Sequence, residues 1–229
     1  MSAVVTVAGV ARRFGRRVAL EDVGFTVGRG ELVGLVGGNG AGKTTLLRVM
    51  AGFLDADAGR VTIDGIDVAT APVAAARRRG YLVEGAPVPP ELGVGEYLRL
   101  RARLRGARLD LDAALAEVGL SGRGRDALGT LSKGQRQRVA WVEAGLGAPA
   151  VLLLDEPAAG LDEEERAAVR ARLAAGRGTR AVVWASHELA DVEAEADRVV
   201  ILAGGRVAAV GTLAEVRGLL AVADDAPLR

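Results

Sequence analysis

The nine residues Gly37–Thr45, GGNGAGKTT, constrain the fold more than any other stretch of the chain. From Gly37 through Thr44 they satisfy G-x-x-x-x-G-K-[ST], preceded by the apolar run ELVGLVG (Glu31–Gly37) and followed by a helical pattern from Lys43 to Ala51. A continuous apolar run ending in glycines is how a strand buried on both faces reads, and such strands belong to parallel sheets. Strand, glycine-rich turn and helix in that order let the backbone N–H groups of Gly37, Gly38, Asn39, Gly40, Ala41 and Gly42 converge on phosphate oxygens, with the helix N-terminus adding favourable charge. Lys43 contributes a point charge for the β- and γ-phosphates, the Thr44 hydroxyl can ligate Mg²⁺, and Thr45 completes the motif. A glycine-rich turn with a stray lysine is the competing reading, and the motif in full context leaves it little room.

A second acidic motif completes such a site. VLLLDEP (Val151–Pro157) is a buried strand delivering Asp155 at its C-terminal edge, where open α/β sheets bind ligands. Asp155 is placed to hold Mg²⁺ through water, and Glu156, one step on, to polarise an attacking water as general base. Alone, two adjacent acids after a strand would read as a turn cap. The one histidine, His187, directly follows a further strand pattern, Ala181–Ala185. At that edge an imidazole reaches the γ-phosphate and orients water; by position alone a structural or exposed histidine is an equal reading.

Strand-like and helical runs alternate along the rest of the chain, which indicates an α/β fold with a mainly parallel central sheet. Val4–Val10 and Val18–Val27 read as strands joined by a basic turn, and RVTIDG as another. A helix is expected from Asp162 to about Ala175. Asp162 with Glu165, Thr212 with Glu215, and Ser132 with Gln135 have capping-box spacing. Pro87–Gly129 shows two helical patterns and no strand, so it reads as a helical insertion bounded by Gly- and Pro-rich hinges. The end, ADDAPLR (223–229), reads as a frayed tail.

Composition narrows the setting. The 229 residues are half apolar and carry a net charge of +1, which gives no global pull toward nucleic acid or anionic lipid. Cysteine is absent, excluding disulfides and thiolate metal sites. No apolar run approaches the ~20 residues of a membrane helix, and MSAVVTVAGV lacks a basic leader and reads as a strand. Of thirty basic residues only Lys43 and Lys133 are lysine, a bias that fits a GC-rich bacterial genome.

LSKGQRQRV (Leu131–Val139) is basic, but a nucleic-acid face needs a wider patch with aromatics, and the chain has only three Phe, two Trp and two Tyr. What remains is a helix N-terminus with Ser132 and Gly134, an anion site. LSKGQ at Leu131–Gln135, the loop Gly37–Thr45, LLLDEP ending in Asp155-Glu156-Pro157, AGLD at Ala159–Asp162 and His187 together resemble, in order and approximate spacing, the ATP-binding subunit of ABC transporters. The resemblance covers nearly the whole chain. It implies a single ABC-type ATPase domain, residues 1–229. Residues 1–86 and 130–229 would form an N-terminal antiparallel β subdomain plus the α/β P-loop core, and residues 87–129 a helical subdomain.

The resemblance also implies roles. Phe14 looks like the aromatic that stacks on adenine, against a competing place in the core of the first hairpin. Asp162 looks like the aspartate of the loop that senses an opposing subunit, while also capping its helix. Ser132 and Gly134, with Gln135 in the same motif, would meet the γ-phosphate of a nucleotide held by a second copy in a head-to-tail dimer. The family usually has glutamine where RGYLVEG places Glu84; a carboxylate there can ligate Mg²⁺ but adds negative charge beside the triphosphate. GYL-x-E with LSKGQ resembles the branch serving separately encoded exporters. The implied function is ATP hydrolysis driving export through a separate integral membrane permease. The chain would then sit peripherally on the cytoplasmic face of the cell membrane. Soluble ABC ATPases of cofactor assembly or cell-wall mechanotransmission are the alternative. Two-cassette translation or repair proteins do not fit the length, and LSKGQ disfavours a plain phosphate-loop kinase or GTPase.

Overall fold

The structure, a computed structural model, describes residues 3–85 and 87–224. Most of the expected frayed tail, and Met1 and Ser2 of the first strand pattern, lie outside the described residues. Two alternating apolar runs make the first hairpin, β1 (Ala3–Phe14) against β2 (Arg17–Gly28). The sequence pattern stops at Val10 and resumes at Val18, yet the pairing continues. Register shifts between Val7 and Val10 and between Val10 and Arg12 explain the discrepancy, with Gly9 at φ 62° and Asp22 at φ 51°. Each extra residue flips the faces of those that follow, so pairing outlasts alternation. Only Gly15 and Arg16 remain as the turn, and Phe14 pairs directly with Arg17.

β3 (Leu32–Val36) is buried at all positions and runs into the phosphate loop and α1 (Lys43–Met50). β4 (Ala58–Ile63) and β5 (Ile66–Asp67) are joined by Asp64–Gly65, both at positive φ as a two-residue hairpin requires. α2 (Pro72–Arg78), with proline in its first turn, leads to β6 (Arg79–Leu82). Next come α3 (Val94–Arg105), α4 (Leu111–Glu117) and α5 (Lys133–Gly145). β7 (Val151–Asp155), α6 (Glu163–Ala175), β8 (Ala181–Ser186) and α7 (Leu189–Glu193) follow. β9 (Arg198–Ala203), β10 (Arg206–Gly211) and α8 (Leu213–Asp224) end the described chain.

These strands form two sheets. The antiparallel one has the order β2-β1-β4-β5 and the larger one β10-β9-β3-β8-β7-β6, parallel except for β10. Leu46, Leu47 and Met50 of α1 are fully buried between the sheets with Val5, Leu20, Leu35 and Leu153. Each such side chain stabilises by about 1.5–3 kcal/mol relative to exposure, which fixes α1 and the loop ahead of it. Trp141 of α5 and Val169 and Leu173 of α6 cover the opposite face over Leu154 and Trp184. Val94 and Leu98 of α3, Leu115 of α4, Leu131 and Val139 form a third cluster, so α5 is shared between two cores.

Candidate nucleotide site

β3 ends at the sheet's C-terminal edge, and the loop after it turns through Gly40 at φ 80° and Gly42 at φ 108°. A side chain is strained at either position, and a Cβ on Gly42 would lie 2.7 Å from the Ala19 carbonyl oxygen. The Gly205 N–H, from the β9–β10 turn, donates to the Ala41 carbonyl at 3.0 Å and pins the loop from outside. Lys43, 7% exposed, folds back over it. Its Nζ donates to the Gly37 carbonyl at 2.7 Å and lies 3.6 Å from Glu156 Oε1.

β7 and β8 bring the acids and the histidine to the same edge, with Asp155 in register with Ala185. The Thr44 hydroxyl donates to Asp155 Oδ1 at 3.1 Å and the Tyr81 hydroxyl to Oδ2 at 3.3 Å. Burial raises the Asp155 pKa, and the charges of Glu84 and Glu156 add to the rise against the Thr44 and Tyr81 hydrogen bonds. Glu156 sits in the left-handed region, at φ 48°, which is uncommon outside glycine. That turn directs its carboxylate toward Lys43 and to 2.9 Å from His187 Nδ1. The Glu156 hydrogen bond, then its charge, raises the His187 pKa above 6.5.

A cavity of about 340 Å³ opens onto these groups, lined among others by Phe14, Arg17, Asn39, Lys43, Thr44, Glu84, Glu156 and His187. Phe14 is 49% exposed, which removes the core-aromatic reading, and the Arg12 guanidinium lies 5.1 Å from its ring centroid. Among the described residues no three acidic or histidine side chains form a self-contained metal cage. The donor set nevertheless suits Mg²⁺, which keeps several waters and binds through one or two protein oxygens plus phosphate. The adjacent Thr44 and Asp155 oxygens supply those donors, and a divalent cation would offset the burial, and after it the carboxylate repulsion, that lift Asp155.

Seven expected residues are not among the described residues lining the cavity. Gly37, Gly38 and Asp155 adjoin it through Lys43 and Thr44, whereas Ser132, Gly134, Gln135 and Asp162 stand at the starts of α5 and α6. Ser132 and Gln135 complete a reciprocal capping box at the start of α5, with bonds of 3.1 and 3.0 Å. Gly134 is buried under α6: a Cβ there would lie 1.5 Å from Glu165 Oε1. Asp162 caps α6 by accepting from the Glu165 N–H at 2.8 Å, with Glu165 itself turned toward Gly134. Sequence reading missed Tyr81, Arg17 and Gln137, whose side chain donates to the Pro157 carbonyl at 3.0 Å and braces the acidic turn. A tyrosine three residues before Glu84 was the signal for the first, and a cation across a hairpin turn from Phe14 for the second.

A family model described as ABC transporter matches residues 20–159. The Fe(3+) ions import ATP-binding protein of Streptomyces coelicolor is 40% identical over 220 residues, covering 93% of this chain and 63% of that protein. This chain therefore spans just under two thirds of that relative's length. The daunorubicin resistance ATP-binding protein of Streptomyces coeruleorubidus is 38% identical, covering 93% and 69%. The hemin import ATP-binding protein of Bradyrhizobium diazoefficiens is 40% identical, covering 94% and 85%. A solved structure described as the ATP binding subunit of an ABC transporter superposes with a TM-score of 0.87 at 33% identity, covering 96% of this chain and 94% of its own.

Proposed function

Because this chain belongs to the ABC transporter family as an ATP-binding, ATP-hydrolysing cassette, we propose that it powers a separately encoded integral membrane permease. The convergence of Lys43, Thr44, Glu156 and His187 on one cavity, with Asp155 buried directly behind Thr44, carries the reading. In it, Phe14 stacks on adenine, the amides of Gly37–Thr45 cradle the phosphates, and Lys43 exchanges Glu156 for the β- and γ-phosphates. Thr44 and Asp155, with Glu84 alongside, would hold Mg²⁺, which would supply neutralising charge to the phosphates. Glu156 accepts the proton of the attacking water, and His187 orients that water and the γ-phosphate.

Ser132, Gly134 and Gln135 act on the nucleotide of a second copy once the Glu165 carboxylate that covers Gly134 turns aside, and Asp162 faces that copy across the joint. ATP is then the glue of a head-to-tail dimer, and hydrolysis weakens it. Residues 87–129, as a helical subdomain beside the core of 1–86 and 130–229, form with the Glu84 turn the dock for the permease. The chain works peripherally at the cytoplasmic face of the membrane.

Export is the proposed direction, resting on Glu84 in GYLVE and on LSKGQ. Import is the second reading, favoured by the similarity to the iron and hemin import proteins. Purification of the tagged chain from detergent-solubilised membranes should bring down a polytopic protein, whose ATP-driven flux in inverted vesicles gives the direction. Recovery with soluble partners alone would overturn the permease reading.

A further inference from the structure

The first hairpin brings a second group to the cavity beside Phe14. Phe14 and Arg17 are directly opposed across β1 and β2, flanking the two-residue turn. Directly opposed residues of an antiparallel pair stand on the same face, so aromatic ring and guanidinium are presented together, and both line the cavity. Arg17 reaches the phosphate loop itself: a Cβ on Gly40 would lie 3.6 Å from Arg17 Nη2. The cavity's other cationic groups are already engaged, since Lys43 and His187 both approach Glu156. Among the described residues Arg17 makes no ion pair and no side-chain hydrogen bond, although the neighbouring Arg12 is tied to Asp57 at 2.8 Å.

An unpaired guanidinium at the mouth of a phosphate-binding loop has one evident use. Its planar fork matches phosphate oxygens, and it cannot lose its charge. The cavity also carries Glu84 and Glu156, which repel a polyphosphate, so a second cation offsets a cost that Lys43 alone bears. The guanidinium stands between Phe14 and Gly40. With Phe14 under the base, as proposed above, the phosphates nearest this hairpin end are those closer to the ribose.

We propose that Arg17 is a nucleotide-binding residue that pairs with the α- and β-phosphates, so that one hairpin end holds base and phosphate together. This rests on the ATP-binding reading above. The test is titration of ATP and of ADP into the nucleotide-free full-length chain, comparing wild type with Arg17→Met, which keeps the stem and removes the charge, and with Arg17→Lys. Arg17→Met should bind ATP and ADP each about tenfold more weakly, the scale of one hydrogen bond to a charged group in a half-open site. Arg17→Lys, which keeps the charge but not the planar fork, should recover part of that loss, which a merely structural role for the arginine stem would not predict. Equal affinity of Arg17→Met and wild type would overturn the proposal, as would an Arg17→Lys variant no better than Arg17→Met. A loss confined to ATP would also overturn it, because it would put the guanidinium on the γ-phosphate. Failure of the wild-type chain to bind either nucleotide would instead reject the ATP-binding reading itself.

Discussion

Asp155 shows what a single site residue costs its own fold. It is 1% exposed, takes hydrogen bonds from Thr44 and Tyr81, and still has a raised pKa because burial and two neighbouring carboxylates outweigh them. Below its ordinary value of 3.8 the group is protonated in both folded and unfolded chains and has no pH-dependent effect. As pH rises from there through the raised folded value, the unfolded chain gives up the proton first, so stability falls and then levels off. Asp155→Asn should therefore raise the melting temperature of the nucleotide-free protein at neutral pH and flatten this part of its pH dependence, while abolishing Mg²⁺-dependent hydrolysis. Equal melting temperatures at pH ~7 would show that Asp155 is not strained by its charge. The motifs made Asp155 and Glu156 legible in the sequence. The positive φ of Glu156 and its hydrogen bond to His187 were not, because they depend on which strand lies beside β7.

Elements fit here through close backbone contacts that hydrophobic pattern does not encode. Gly80 sits in the buried strand β6, where a Cβ would lie 2.0 Å from the Ala144 carbonyl oxygen of α5 and 2.6 Å from Leu152 Cδ2. Gly80→Ala should destabilise the protein by about 1–3 kcal/mol, the range for overpacking, with a lower urea midpoint and an unchanged m-value. A midpoint equal to wild type would mean that α5 shifts freely over the sheet. The sequence reading recovered β3, β7 and β8 because strands buried on both faces are uninterrupted apolar runs. It missed α2, whose one buried side chain is Ala75, since a short helix with so narrow an apolar stripe carries no periodic signal. The bulges of β1 and β2 hid the true strand ends for the converse reason: the pattern broke while the hydrogen bonds did not.

At the scale of the whole molecule, the phosphate loop and the start of α5, the two stretches whose sequence suits an anion, do not meet. The phosphate loop lines the cavity, whereas the start of α5 does not, which is the arrangement a head-to-tail dimer needs. Glu156→Gln should slow hydrolysis by about 10²–10⁴-fold, the usual contribution of a general base, and should convert the protein to a dimer on gel filtration with ATP but not with ADP. Normal turnover would remove Glu156 from its assigned role, and a persistent monomer with bound ATP would count against the shared site. The sequence showed both motifs but not their separation, because helix packing decides which surface each one faces. Strand order carries one more consequence. β8, residues 181–186, is inserted between β3 and β7, although it is synthesised after both. A nascent chain ending near residue 160 holds the phosphate loop and both acids, yet has no hydrogen-bonded ladder joining them. The family model's match, residues 20–159, ends short of that strand. Long-range parallel pairing of this kind forms late. Residues through Ser186 must therefore leave the ribosome before a nucleotide can meet the phosphate loop and both acids on one sheet.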